Sequence, residues 1–224
     1  MSLKFPIFNL GDTTYGFSLN DDETFAIGGE YSSHSIGNCL FITDDQGKDT
    51  FNFNLIRQGL TIDISLGGES FVTDLEDGPK AKLVCESAIE NVIGGRAGDT
   101  IYGNDFGNVI IGGLGGDDIW GNEGADTFVY RNVRQSTVAN HDTIEDFQTG
   151  LDFINLSRVD ADSTKHGRQH FDFIGHKNFS HDAGELRLTA SGHLLGDTDG
   201  DGHADFRIDV VGDVHKADLL GIHL

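Results

Sequence analysis

Residues 94–129 read GGRAGDTIY, GNDFGNVII, GGLGGDDIW and GNEGADTFV, four nine-residue units in unbroken succession. Each follows G-G-x-G-x-D-x-U-x: a six-residue glycine-rich turn ending in Asp99, Asn108, Asp117 or Asp126, then a three-residue strand centred on Ile101, Ile110, Ile119 or Phe128. One apolar residue per strand can fill an interior if the chain winds into a flat coil of two turns and two strands. Turns on one edge then come from alternate units. Asp99 lies over Asp117 and Asn108 over Asp126, 18 residues apart in both cases. The expected fold class is all-β: a parallel β-roll flanked by antiparallel, sandwich-like strands.

A slot between two stacked turns offers backbone carbonyls and a side-chain oxygen from each layer. That all-oxygen cage suits calcium, and the lack of thiolate or imidazole argues against zinc. The candidate carbonyl donors are Gly94, Arg96 and Gly98 beside Asp99, and Gly103, Asp105 and Gly107 beside Asn108. In the later units they are Gly112, Leu114 and Gly116 beside Asp117, and Gly121, Glu123 and Ala125 beside Asp126. Several calcium ions and no zinc are expected. Asp99 with Asp117 brings two charges and Asn108 with Asp126 one, so the first slot should bind more tightly. Glycine is expected because the turns demand positive φ and adjacent coils approach closely. Ala97 and Phe106 stand where glycine is expected. Glu90, 18 residues before Asn108, suggests that a degenerate unit opens the roll near Cys85.

The composition fits such a roll. The chain of 224 residues has a net charge of −22, mostly from Asp, and 31 glycines against 2 prolines. Unscreened, these carboxylates repel one another, so bound ions should contribute much of the folding free energy. Clustered Lys and Arg are lacking, which excludes nucleic acid as an expected partner, and no apolar run is long enough for a membrane-spanning helix. The opening MSLKFPIFNL has no continuous apolar segment, so no Sec-type leader is expected. Cys39 and Cys85 are too few for a disulfide framework. They read either as a pair or as two buried thiols.

Outside the repeats, short alternating runs at 40–43, 50–56, 60–66, 142–147, 151–157, 171–175, 184–189 and 204–212 read as strands between turns. The nearest helix candidate, 81–93, ends in β-branched residues that suit a strand entering the roll. The organisation expected is an N-terminal β segment at 1–84, the roll at 85–130 and an antiparallel β cap at 131–224. Within that cap, GDTDGDGHADF places Asp197, Asp199, Asp201 and Asp205 in D-x-D-x-D-G-x-x-D. Alternate aspartates on a glycine-assisted turn can converge on one cation, but no Glu occupies the twelfth position. A calcium loop between strands and a solvated acidic turn are the two readings.

The tandem nonapeptides identify the chain as similar to RTX proteins. GDTTYGF at 11–17, GKDTFNF at 47–53, AIENVIGG at 88–95, DTIEDFQTGLDFINLS at 142–157, FIGHKNFS at 173–180 and GDTDGDGHADF resemble the C-terminal region of serralysin-type secreted metalloproteases. The resemblance implies calcium in the turns and passage through the type I secretion machinery to an extracellular location. It also carries a calcium-site role onto Asp49. Asp142 and Asp146 match family positions as well, Asp146 being counted as a candidate ligand.

The zinc motif HExxHxxGxxH of those proteases is not in the sequence. Met1 is the only methionine, so no Met-turn follows either. No nucleophile elbow or phosphate loop is present. The expectation is a calcium-dependent folding and secretion module, non-catalytic in itself. The alternatives are an accessory module contacting extracellular polysaccharide or protein, for which the outward Tyr102 and Trp120 are candidates, and a C-terminal piece of a longer metalloprotease.

Overall fold

The computed structural model describes residues 14–19, 25–28, 33–36, 39–42, 47–72, 82–85 and 88–223. The chain is all-β, with two 3-10 turns, Val133–Gln135 and Lys216–Asp218, as the helical elements among the described residues. One sheet runs in spatial order Phe25–Gly28, Thr14–Leu19, Thr50–Asn52, Asn91–Ile93, Val109–Ile111, Thr127–Val129, Phe153–Asn155, Leu219–Leu220. In the second sheet, Leu60–Asp63, Thr100–Tyr102, Asp118–Trp120, Asp142–Ile144 and Phe206–Val210 lie side by side in parallel.

The nonapeptides wind as their spacing requires. Ile101 pairs with Ile119 and Ile110 with Phe128, each 18 residues on. Two apolar columns result, one from each sheet: Phe51, Val92, Ile110, Phe128 and Ile154, and Ile62, Ile101, Ile119, Ile144 and Val210. All ten side chains are buried. At about 1.5–3 kcal/mol for each fully buried apolar side chain, this column stabilises three-residue strands that would not persist alone. Their neighbours along the strand are more exposed, Val109 at 39%.

Parallel pairing runs past both residues 85 and 130. It begins with Thr14–Gly16 against Thr50–Asn52 and ends with Ile154 against Leu219. Each added coil keeps an apolar residue in the column while the chain between strands loops out to varying lengths, so a strict nine-residue period is not needed. Antiparallel strands flank this stack. Leu60–Asp63 pairs with Glu69–Val72 and that with Lys82–Cys85. Beyond the stack, Phe206–Val210 pairs with His193–Asp197, and that with Glu185–Leu188. Aromatic clusters pack near both ends: Phe17 stacks on Phe53 at 4.6 Å, and Tyr130 meets Phe206 edge-on at 5.5 Å.

The helix candidate at 81–93 forms strands Lys82–Cys85 and Asn91–Ile93. Lys82–Cys85 runs parallel to Cys39–Ile42, with Cys39 opposite Lys82 and Cys85 opposite Ile42. At the strand rise this separates the two cysteine Cα atoms by about 10 Å, beyond the reach of a disulfide. No helix among the described residues is long and apolar enough to cross a membrane.

Candidate metal centres

Each edge of the roll carries a ladder in which the acidic residue ending one turn accepts a backbone N–H from the coil before. On the edge feeding the second sheet, Leu60 N–H donates to Asp99 Oδ1 at 2.9 Å, Asp99 N–H to Asp117 Oδ1 at 2.9 Å, and Asp117 N–H to Asp142 Oδ1 at 3.0 Å. On the other edge Asp49 N–H donates to Glu90 Oε2 at 2.7 Å, Asn108 N–H to Asp126 Oδ1 at 2.7 Å, and Asp126 N–H to Asp152 Oδ1 at 2.9 Å. These charge-assisted bonds fix one coil on the next. Asp49, Asp99, Asn108, Asp117, Asp126, Asp142 and Asp152 are at most 3% exposed.

The turns come close enough for their carbonyls to face the preceding coil. A Cβ on Gly94 would lie 1.9 Å from the Gly112 carbonyl oxygen, and one on Gly103 2.4 Å from that of Gly121. Gly98 meets the Gly116 carbonyl and Gly107 that of Ala125 in the same way, both at 2.7 Å. Carbonyls at the first and fifth turn positions therefore point between layers. The Gly103 carbonyl is taken by Asn122 Nδ2 at 2.9 Å. Arg96, Asp105, Leu114 and Glu123, at the third position, turn their side chains to solvent.

The four turns fall into two kinds. In Gly94–Asp99, Gly95 N–H donates to Asp99 Oδ2 at 2.6 Å, and in Gly103–Asn108, Asn104 N–H donates to Asn108 Oδ1 at 2.9 Å. Asp99, counted as one of the two charges of the first slot, therefore has both oxygens engaged by N–H groups. In the next two turns the second and fourth residues have positive φ, Gly113 at 117° and Gly115 at 137°, then Asn122 at 67° and Gly124 at 111°. There Asp117 Oδ2 and Asp126 Oδ2 are buried without a hydrogen-bond partner, whereas the buried Asp142 has the Tyr130 hydroxyl beside it.

Buried carboxylates without compensating charge resist ionisation. Burial pushes Asp117 up to about 7, with the Asp99 N–H opposing and Asp118 adding to the rise. Burial likewise pushes Asp126 up to about 7, with the Asn108 N–H opposing and Asp152 and Asp146 adding. Asp142 is held well above the usual carboxylate range by burial and by Asp117. Burial, then the charges of Asp142 and Asp117, raise the Tyr130 hydroxyl as well. The donor set is all oxygen, and a divalent cation would supply the charge that lets these buried carboxyls ionise, which fits a hard ion such as calcium.

Asp152 also lies in the ladder, with Gln148 N–H on its second oxygen at 2.8 Å. The nine-residue period misses Asp142 and Asp152 because they stand 25 and 26 residues beyond their ladder partners. Both nevertheless stand two residues before a column residue, Ile144 and Ile154, as Asp99 stands before Ile101. Asp146 lies outside the ladder, its two oxygens accepting the N–H groups of Gly121 and Asn122 at 2.8 Å each.

The late acidic loop converges in part. Asp197, Asp199 and Asp205 bring carboxylate oxygens within 4.8 Å of one another. Asp197 is buried and accepts the N–H groups of Gly200 at 2.7 Å and Gly202 at 2.8 Å. Asp205 accepts from the Thr198 N–H and hydroxyl. Asp201 is outside this group: its side chain is 59% exposed and accepts the His203 N–H.

The family model described as the peptidase M10 serralysin C terminal matches residues 8–220. The chain is 34% identical to the metalloprotease AprA of Pseudomonas entomophila over 94% of its own length and 44% of the relative's. It is 33% identical to serralysin of Proteus mirabilis over 92% of its length and 45% of that protein. The chain thus spans about half the length of these curated relatives. A solution structure of the AlgE6R2 subunit of an Azotobacter vinelandii mannuronan C5-epimerase is a remoter likeness, with TM-score 0.45 and 20% identity over 73% of this chain and 89% of that one. Nothing further follows from a likeness at that level.

Proposed function

The chain belongs to the serralysin C-terminal family of M10 peptidases, and from that premise we propose that it is a calcium-dependent folding and type I secretion module, non-catalytic in itself, of an extracellular protein. The observation that carries this is the pair of buried, unpartnered oxygens on Asp117 and Asp126 in a chain of net charge −22. Bound calcium would supply the positive charge those carboxylates lack. Asp117 and Asp126 would hold it with the interlayer carbonyls of Gly112, Gly116, Gly121 and Ala125. Asp197, Asp199 and Asp205 would hold a further ion.

Extracellular modules bind calcium at about 0.1–1 mM, so such sites stay empty in a cytosol poor in the ion. The chain would remain export-competent inside the cell and fold where calcium fills the slots. Titration with calcium, followed by far-ultraviolet circular dichroism after chelation, tests this. The β signal should develop with calcium, and a full signal in excess chelator would overturn it.

A second reading adds a binding surface for extracellular polysaccharide or protein. Tyr102 and Trp120, adjacent in the outward row of the second sheet, stack at 4.8 Å and are only half-buried. Aromatic faces of this kind are common anchors at binding surfaces. Glycan and protein arrays probed with calcium present should lose their signal in Trp120→Ala, and silence across both arrays would remove this reading. Zinc-dependent hydrolysis by a longer parent would need residues beyond these 224.

A further inference from the structure

In sequence the two kinds of turn differ consistently at one position, the fourth. The fourth residue is Ala97 or Phe106 in the capped turns, and Gly115 or Gly124 in the open ones. Gly115 and Gly124 sit at φ values of 137° and 111°, a region that residues with a Cβ avoid. With a side chain at that position the turn closes instead, and the N–H of its second residue caps the side chain of its sixth. Capping occupies the oxygen that stays unpartnered on Asp117 and Asp126. In the second capped turn, Asn108 Nδ2 further binds Asn104 Oδ1 at 3.1 Å and the Glu90 carbonyl at 3.2 Å.

We propose that Ala97 and Phe106 set which turns load calcium: the turns Gly94–Asp99 and Gly103–Asn108 are metal-independent, and the ions of the repeat region are held through Asp117 and Asp126. This rests on the calcium reading above but goes beyond it, because tandem spacing alone makes all four turns equivalent. In the capped form Asp99 serves as a structural acceptor for Leu60 and Gly95 N–H. The two-charge slot of Asp99 with Asp117 is then replaced by sites that depend on the open turns.

Native mass spectrometry of the full chain in calcium, counting ions on folded charge states, tests the proposal. Asp99→Asn should keep the wild-type count, whereas Asp117→Asn should lose at least one ion. Ala97→Gly with Phe106→Gly should gain one or two. Loss of an ion from Asp99→Asn would overturn the proposal, as would a folded double-glycine variant with the wild-type count. Absence of calcium from every form would remove the calcium reading itself, and the proposal with it, which separates that failure from the other two.

Discussion

Asp126 lies one coil beyond Asn108. Its Oδ1 accepts the Asn108 backbone N–H at 2.7 Å, while its Oδ2 is buried without a partner. One oxygen joins the coils and the other is left open. Asp117 divides its oxygens in the same way beneath Asp99. On the proposed calcium reading, stacking and ion binding fall to the same side chains, and a change at one of them should register in both.

Replacing Asp117 by Ala removes an interlayer acceptor and an open donor, whereas replacing Asn108 removes mainly a cap. Asp117→Ala should raise the calcium midpoint at least tenfold, which corresponds to about 1.4 kcal/mol. Asn108→Ala should raise it less. Parallel titrations by circular dichroism check the order, and equal shifts would contradict it.

A Cβ on Gly121 would lie 2.3 Å from Asp126 Oδ2, while Gly150, at φ 76°, has nothing within 4 Å of an added Cβ. At saturating calcium, Gly121→Ala should cost about 2–4 kcal/mol because the carboxylate must leave its position. Gly150→Ala should cost about 1 kcal/mol, from backbone strain alone. Urea unfolding measures both, and a tolerated Gly121→Ala would mean that the carboxylate is not held where the turn places it.

The metal-free roll should depend on pH in the sense opposite to the calcium-bound one. Asp117 and Asp126 titrate at about 7 when folded, against an ordinary value of 3.8. The folded state then holds more protons between those values. The stability these groups contribute is fully present below pH 3.8 and is lost as pH rises through about 7. Calcium requires the ionised form, so its effect grows over the same range. Circular dichroism in chelator should show more structure at about pH 5 than at about pH 8, and in millimolar calcium less. A metal-free signal that rises with pH would contradict the burial of these two groups.

In the late loop, Asp199 belongs to the three-carboxylate group and Asp201 does not. Asp199→Asn should lower the number of bound calcium ions by one, and Asp201→Asn should leave it unchanged. Ion counting on the two variants separates them, and loss of the ion in Asp201→Asn would contradict the grouping.

The roll was legible because one apolar residue per nine, repeated from Ile101 to Phe128, leaves little choice of winding. Its true extent was not. Asp142 and Asp152 keep the acid two residues before the column residue, but insertions lengthen the intervening turns and hide the register from a nine-residue period. Glu90, placed by spacing against Asn108, accepts from Asn108 Nδ2 through its carbonyl, and its side chain accepts the N–H of Asp49, which resemblance had reached separately. Ala97 and Phe106 were visible as departures from glycine. Their consequence depends on φ at the fourth position and on whether the second residue's N–H turns inward, which sequence alone does not reveal. The loop aspartates looked equivalent because D-x-D-x-D alternates evenly. Asp197, at a strand end, is buried, Asp205 is half-buried and Asp199 is exposed yet close to both, whereas the exposed Asp201 lies outside their group.

A crystal structure with calcium, phased so that the ion's anomalous scattering is visible, tests the account most directly. Anomalous peaks are predicted at about 2.3–2.6 Å from Asp117 Oδ2 and from Asp126 Oδ2, with none bound to Asp99 Oδ2. Difference maps without peaks at Asp117 and Asp126, or with their oxygens satisfied by water or protein donors, would contradict it.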